Sequence, residues 1–252
     1  MAADTKTPAK FDLSTIASVG SPRSMDKVMT SLFYGPKGVG KTSLAVSAED
    51  VEHMAPCLLL AFEDGTSSVG ASYPGLAVAR PEDWEQALDL IEALVNEDTG
   101  INTVIIDTAA ECQQFIYDWS INNWGDVDGF KKWAAVYEQL MKIVKALHRA
   151  NINVIVLAHA ERDKDKMAQT IKVMPYFQGN KTGLELPKIF DIIGYLDIDG
   201  EGNDATRVLQ LSPSNMVTAG NRSEGRLPDY MENPTMTKII KALRENDPKK
   251  IK

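Results

Sequence analysis

Residues 35–42 limit the possible folds of this chain more than any other stretch. They read Gly-Pro-Lys-Gly-Val-Gly-Lys-Thr and directly follow the apolar residues 32–34. This spacing fits G-x-x-x-x-G-K-[ST], the phosphate-binding loop that joins a β-strand to an α-helix. Because glycine permits positive φ, Gly35, Gly38 and Gly40 allow consecutive backbone N–H groups to point at one phosphate. The sequence therefore predicts a site for a nucleoside triphosphate.

The side chains at the end of this loop have predicted roles in binding ATP. Lys41 can reach the β- and γ-phosphates, and Thr42 can supply a hydroxyl ligand to Mg²⁺. A chance glycine-rich turn is the alternative, but the strand before the loop and the helical residues 43–48 after it argue against a turn. The complete predicted ATP-binding set is Gly35, Pro36, Lys37, Gly38, Val39, Gly40, Lys41, Thr42 and Ser43.

Charge and cysteine content exclude several classes of protein. The formal net charge is −8, so any nucleic-acid site must be a local basic patch rather than the whole surface. Cys57 and Cys112 lie in apolar or helical surroundings and are predicted to be reduced core residues. No apolar run has the length of a membrane span, and the N-terminus lacks the apolar segment of a signal peptide. We therefore expect a cytoplasmic protein without a membrane partner.

Apolar strand segments alternate with helical segments along the chain, a pattern typical of a mostly parallel sheet. Continuous apolar runs predict buried strands at residues 57–62, 103–107 and 152–158. Two later segments, 191–197 and 207–211, are predicted to form a strand pair around a glycine-containing turn. The predicted fold class is α/β, with a mostly parallel central sheet flanked by helices and a late antiparallel strand pair.

The remaining segments predict helices and chain ends. Helical periodicity is present at residues 84–95, 109–124, 130–149 and 234–244. We see no internal repeat and no second domain. The predicted organisation is an N-terminal arm of residues 1–24, one domain of residues 25–245 and a C-terminal tail of residues 246–252.

Asp107 ends a buried strand at the position of a Walker B aspartate. Its carboxylate would hold Mg²⁺ through the water shell of the ion, so that the ion could bridge phosphates. An aspartate at the end of a strand can also cap the following helix, and the residues Thr108-Ala-Ala permit this alternative. We favour the metal role because a phosphate loop precedes it.

Hydrolysis requires a residue that orients or deprotonates water. Many P-loop ATPases place a glutamate directly after the Walker B aspartate, but Thr108 occupies that position here. Glu63, which follows the strand at residues 57–62, is the preferred catalytic base. Glu111 is the alternative, although an acid near the start of a helix is also favourable for the helix itself.

His159 follows the fourth predicted strand. If that strand lies between the phosphate-loop strand and the strand of Asp107, His159 would face the γ-phosphate. It could then report hydrolysis to the segment that begins at Glu161. A packed or solvated histidine without a functional role is the alternative interpretation.

Residues 161–183 are charged and polar, and we interpret them mainly as a long excursion that includes a short strand near residues 170–174. Positive charge and aromatic side chains occur together there, a combination that binds single-stranded nucleic acid. The alternation of Arg, Asp and Lys fits a solvated loop equally well, so both interpretations stay open. The basic and aromatic residues are Arg162, Lys164, Lys166, Lys172, Tyr176, Phe177 and Lys181.

Arg222 follows the last predicted strand of the late pair and the loop at residues 212–220. An arginine in such a place can reach the nucleotide of a neighbouring subunit and stabilise charge on the transferring phosphate. Arg226 is close enough in sequence to be an alternative. A surface arginine in a polar loop is an equally acceptable interpretation of either residue.

Taken together, these segments resemble the RecA-like P-loop ATPases, and in particular the phage-encoded nucleotide-binding proteins linked to single-strand annealing recombination. The resemblance covers residues 25–243. Besides the phosphate loop, it depends on Phe62-Glu-Asp-Gly65, Val104-Ile-Ile-Asp107, Val154-Ile-Val-Leu-Ala-His159, Phe177-Gln-Gly-Asn-Lys181, Leu186-Pro-Lys-Ile-Phe-Asp191 and Asn221-Arg-Ser-Glu-Gly-Arg-Leu-Pro228.

The resemblance implies roles for the matching residues. Glu63 would be the catalytic glutamate, His159 the γ-phosphate sensor, and the excursion a mobile DNA-binding loop. Relatives often carry a lysine two residues before the arginine that acts in trans. Here that position is Gly220, so Arg222 alone would fill this role.

The function that the resemblance implies is ATP hydrolysis on single-stranded DNA during phage recombination or replication. It implies a homo-oligomer, either a ring or a filament, in the cytoplasm of the bacterial host. A single-strand DNA-binding protein is a further expected partner. Two alternatives stay open: an ATP-binding switch or scaffold with little turnover, and another P-loop DNA motor of the helicase or packaging type.

Overall fold

The computed structural model describes residues 28–63, 67–124, 129–165, 170–179 and 185–245. The predicted arm at residues 1–24 and the predicted tail at residues 246–252 lie outside this part of the chain. The strands are β1 Thr30–Gly35, β2 Cys57–Ala61, β3 Ala77–Ala79, β4 Thr103–Asp107, β5 Asn153–Asp165, β6 Thr170–Pro175, β7 Ile192–Asp199, β8 Thr206–Gln210, β9 Gly220–Asn221 and β10 Tyr230–Glu232. The helices are α1 Lys41–Val46, α2 Ser67–Gly70, α3 Trp84–Asn96, α4 Ala109–Trp124, α5 Gly129–Arg149 and α6 Met236–Glu245. Short 3₁₀ helices span Ser47–Asp50, Leu186–Ile189 and Gly202–Asp204.

One sheet carries the fold, with strand order β10-β8-β7-β1-β5-β4-β2-β3. Strands β1, β2, β3, β4, β5 and β7 are parallel, whereas β8 and β9 pair with β7 in the antiparallel sense. The predicted fold class is confirmed, including the late antiparallel pair of β7 and β8. The condition for the proposed position of His159 is met, because β5 lies between β1 and β4.

Alternation along β1 explains the two layers of helices. Leu32 and Tyr34 pack into the core beneath α3, α4 and α5, whereas Phe33 packs into the core beneath α1 and α6. Successive side chains of a strand point to opposite faces, so a fully apolar strand requires cover on both sides. The central strands are accordingly buried along their length. Cys57 and Cys112 are free and buried, as the sequence predicts.

The excursion at residues 161–183 differs from the long loop that the sequence predicts. Strand β5 continues past His159 to Asp165 and pairs with β6 in antiparallel register, from Ala160 opposite Pro175 to Asp165 opposite Thr170. The predicted short strand near residue 170 is confirmed, but the loop interpretation is wrong for these residues because their backbone groups form a ladder. We call this two-stranded extension, residues 160–165 and 170–175, the ribbon. Residues 166–169 and 180–184 lie outside the described part of the chain.

Within the described ranges, no helix combines the length and the apolar character that crossing a membrane requires.

Candidate active site

The phosphate loop lies at the carboxyl end of β1, where β1 is followed by α1. Gly38 and Gly40 have φ of 79° and 101°, so both occupy the left-handed region that the sequence predicts for them. Gly35 does not have positive φ, and this part of the prediction is wrong. Glycine is needed at this position because there is no room for a side chain: a Cβ on Gly35 would lie 2.2 Å from the backbone oxygen of Leu196 on β7.

Lys41 is the first residue of α1 and is only 7% exposed. Its ammonium group donates hydrogen bonds to the carbonyl oxygens of Gly35 at 3.2 Å and Pro36 at 2.9 Å. Burial lowers the pKa of Lys41, and the nearby carboxylates of Asp107 and Glu63 oppose this shift. The loop thus holds its cation against its own backbone and within the field of two acids.

Asp107 faces the beginning of α1 across the mouth of the loop. The Thr42 hydroxyl donates a 2.8 Å hydrogen bond to Oδ2 of Asp107. Burial raises the pKa of Asp107; the Thr42 hydrogen bond lowers it, and the carboxylate of Glu63 raises it. A hydroxyl and a carboxylate in contact are the hard oxygen donors that Mg²⁺ prefers, so the two residues fit the predicted metal site.

Glu63 lies directly after β2 and meets groups from two neighbouring strands. Its Oε1 accepts a 2.8 Å hydrogen bond from the Thr108 hydroxyl and lies 3.2 Å from Nε2 of His159. Strand register explains the contact, because Ala61 pairs with Asp107 and Asp107 pairs with Leu157, so Glu63 and His159 each follow the aligned positions by two residues. Adjacent parallel strands therefore end at the same edge of the sheet. Glu63, but not the alternative Glu111, influences the pKa of both Lys41 and Asp107.

Arg222 lies at the opposite edge of the sheet. Its backbone N–H donates to Asp191 O, and its guanidinium contacts Asp191 Oδ1 at 3.4 Å and donates to Lys188 O at 2.7 Å. Asp191 in turn accepts a hydrogen bond from the backbone N–H of Thr30, the first residue of β1. The length of β1, about 16 Å at 3.3 Å per residue, separates this place from the phosphate loop. Within one subunit, Arg222 does not belong to the loop site.

The alternative residue Arg226 lies near Arg222 and is tied to the end of α6. Its Nε donates to Ser223 O at 2.8 Å, and a second guanidinium nitrogen contacts Leu243 O at 3.4 Å. Both arginines line one cleft of about 500 Å³ at this edge of the sheet. The other charged or titratable residues of the cleft are Lys145, His148, Arg149 and Asp191.

The ribbon presents some of its predicted DNA-binding side chains and not others. Arg162 and Lys172 are exposed. Phe177 is only 6% exposed and packs into the core beneath α4 and α5, so its predicted stacking role is wrong. Asp163 pairs with Lys172 in the register, which brings opposite charges together across the strands. The side chains of Lys164, Lys166 and Lys181 lie outside the described part of the chain.

Sequence reasoning missed Arg207, which lies on β8 and packs against the phosphate loop. A Cβ on Gly40 would lie 2.9 Å from Nε of Arg207. The guanidinium therefore covers the backbone of the loop where α1 begins. The sequence holds no local signal for this contact, because it arises only from the pairing of β8 with β7.

Comparison with known proteins shows the family to which this chain belongs. The AAA domain family matches residues 27–223. No curated protein sequence matches the chain. Among solved structures, a KaiC-like protein from the hyperthermophilic archaeon Pyrococcus horikoshii OT3 is similar, with 15% sequence identity and a TM-score of 0.47. The alignment covers 77% of this chain and 82% of that one. Because the family match spans well over half of the 252 residues, the chain belongs to the AAA domain family of P-loop NTPases.

Proposed function

We propose that this chain binds ATP with Mg²⁺ at the phosphate loop and hydrolyses it. The observation that supports this most directly is the convergence of five side chains at the carboxyl edge of the sheet. These side chains are Lys41, Thr42, Glu63, Asp107 and His159. A P-loop protein that only bound nucleotide would not require the pair Glu63 and His159.

Each side chain has a distinct task in the proposed reaction. Lys41 is held where its charge can offset that of the β- and γ-phosphates, and Thr42 and Asp107 would hold Mg²⁺. Held by these two residues, Mg²⁺ would supply positive charge that offsets the charge developing on the phosphates. Glu63 would accept a proton from the attacking water. His159, which contacts Glu63 directly, would sense the γ-phosphate.

We further propose that the protein acts on single-stranded DNA in phage recombination or replication, as a homo-oligomeric ring or filament. A single-strand DNA-binding protein is a proposed further partner. Two features support this. The ribbon continues directly from the strand of His159, and it carries exposed Arg162 and Lys172. An extension that continues from the sensor residue and carries exposed cations among its acids would connect the nucleotide to the DNA.

Single-stranded DNA is expected to increase the ATPase rate, and its binding is expected to weaken steeply with salt. Cations that contact phosphates release counterions from the DNA, so the logarithm of affinity falls linearly with the logarithm of salt concentration. The test measures ATP turnover with and without a labelled oligonucleotide, and affinity at several salt concentrations, on material of known oligomeric mass. Replacing Arg162 and Lys172 with alanine should reduce the salt slope by about one per lost contact.

The matched control for the ribbon variants is Lys142→Ala, which removes an exposed cation from α5. It should leave the slope unchanged. Two results together would remove DNA from the proposed function: an ATPase rate that single-stranded DNA does not change, and no DNA binding at low salt in the presence of an ATP analogue. Such results would not contradict the proposed hydrolysis of ATP.

We propose that Arg222 completes the active site of a neighbouring subunit. Its distance from its own phosphate loop supports an action in trans. The charge of the cleft that it lines also supports this. Besides Arg222, the cleft is lined by three cations, Lys145, Arg149 and Arg226, and by one acid, Asp191. These cations would supply positive charge beside Arg222, although Gly220 occupies the position where relatives often carry lysine. A negatively charged triphosphate on a neighbour fits such a surface.

Mixing two inactive variants tests the proposed action in trans. Arg222→Ala should lower turnover at least about tenfold, because an arginine finger stabilises the transferring phosphate. Its surface contact with Asp191 contributes little to stability, so the variant should fold. In an equal mixture with Lys41→Ala, about a quarter of the interfaces would combine an intact loop with an intact arginine. Turnover should recover toward that fraction. Mixtures that stay inactive, or Arg222→Ala with full activity, would contradict the proposal.

A further inference from the structure

Thr108 is the residue that most directly holds Glu63. Its hydroxyl donates the 2.8 Å hydrogen bond to Oε1 of Glu63, and Thr108 is only 1% exposed. His159 contacts the same oxygen at 3.2 Å. Within the part of the chain that the structure describes, the other oxygen, Oε2, has no hydrogen-bond partner. The carboxylate is thus held by one oxygen and leaves the second available.

Backbone contacts hold Thr108 itself in place. The preceding residue, Asp107, pairs with β2 and accepts a 2.8 Å hydrogen bond from the backbone N–H of Phe62. The carbonyl oxygen of Thr108 accepts from Cys112 N at 3.0 Å in the first turn of α4. A hydroxyl fixed between a strand and a helix, and shielded from water, forms a directional and strong hydrogen bond to a carboxylate.

We propose that Thr108 is a positioning residue for hydrolysis, which orients Glu63 so that Oε2 faces the attacking water. This inference rests on the proposed ATPase function. It also gives a physical role to the residue that replaces the glutamate often found after the Walker B aspartate. Glu63 follows the neighbouring strand β2, and the position after Asp107 carries the hydroxyl donor that orients it.

The first arm of the test measures the contact without nucleotide. A double-mutant cycle combines Thr108→Val, which keeps the shape and removes the hydroxyl, with Glu63→Ala. Urea unfolding is measured for the wild type, both single variants and the double variant. The unfolding equilibrium constant of the double variant should depart about tenfold from the value that independent effects predict. Additive effects would show that the contact does not form, and would overturn the proposal whether or not the protein hydrolyses ATP.

The second arm measures the role in the reaction. Thr108→Val should lower kcat about tenfold with an unchanged KM for ATP, since it disturbs the geometry of the base and not the binding of the substrate. Thr108→Ser keeps the donor and should restore kcat to within about twofold of the wild type. A structural defect would not separate valine from serine in this way. Coupling in the first arm with an unchanged kcat in Thr108→Val would overturn the proposal.

The two arms separate this inference from the proposed function. A wild-type protein without ATP turnover would remove the ATPase function and the positioning role together, even if the cycle shows coupling. If the wild-type protein hydrolyses ATP, the kcat values of Thr108→Val and Thr108→Ser decide whether Thr108 is a positioning residue.

Discussion

Replacing Lys41 with alanine is expected to lower ATP turnover about 10²- to 10³-fold, the effect typical of removing one preorganised group that stabilises transition-state charge. Lys41 contributes the buried cation at the mouth of the loop, where a charge interacts more strongly than in water. Its hydrogen bonds to Gly35 and Pro36 are with carbonyl oxygens of the loop, so the substitution should leave the sheet intact. Steady-state phosphate release from purified protein, with thermal unfolding as a check of folding, measures both effects.

Lys142→Ala is the matched control for this prediction, because it removes an exposed lysine from α5 without touching the site. It should hydrolyse ATP at the wild-type rate. If Lys41→Ala retained turnover in a preparation free of contaminating ATPases, the proposed use of the phosphate loop would be wrong.

Replacing Glu63 with glutamine is expected to preserve ATP binding and to lower turnover about 10²- to 10⁴-fold, the range that a general base contributes. Glutamine has the same shape and can still accept the hydrogen bond from Thr108, but it cannot take a proton from water. The rate of hydrolysis is measured in a single turnover, with the protein in excess of ATP and concentrated enough to bind all of it, and binding is measured separately with a fluorescent ATP analogue.

A parallel substitution of Glu111, the alternative catalytic base, distinguishes it from Glu63. Glu111 lies in the first turn of α4, and Glu111→Gln tests it under the same conditions. Loss of turnover in Glu111→Gln with full turnover in Glu63→Gln would transfer the role to Glu111. Glu92→Gln, on the exposed face of α3, is the control for the substitution itself.

The sequence predicts the parts of this fold that depend on local pattern. Continuous apolar runs located the buried strands, and the glycine spacing located the loop. The ends of β2 and β4 place Glu63 and Asp107 at one edge, and the register of β5 with β1 and β4 places His159 beside them, although β5 itself continues to Asp165. The roles of these residues stay predictions, whereas their proximity is a property of the structure.

Local pattern could not predict contacts that depend on pairing between distant strands. Arg207 reaches Gly40 only because β8 folds back along β7. The sequence shows only that Thr108 occupies a position where many P-loop ATPases carry glutamate. Its hydrogen bond to Glu63 arises from the register of β2 and β4. The sequence indicates a loop here because residues 161–163 are all charged and exposed, so they lack the alternation of apolar and polar residues that marks a half-buried strand.

The continuity of β5 has a mechanical consequence. Because His159 and the ribbon belong to one strand without a break, a tilt of the strand at His159 would be transmitted along the ribbon. From His159 to Asp165 the strand extends for about 20 Å at 3.3 Å per residue. A tilt of about 10° at His159 would displace the far end by about 3.5 Å, roughly the rise of one residue in a strand. Under the proposed function, a tilt of this size after loss of the γ-phosphate would shift the DNA bound to the ribbon by about that distance.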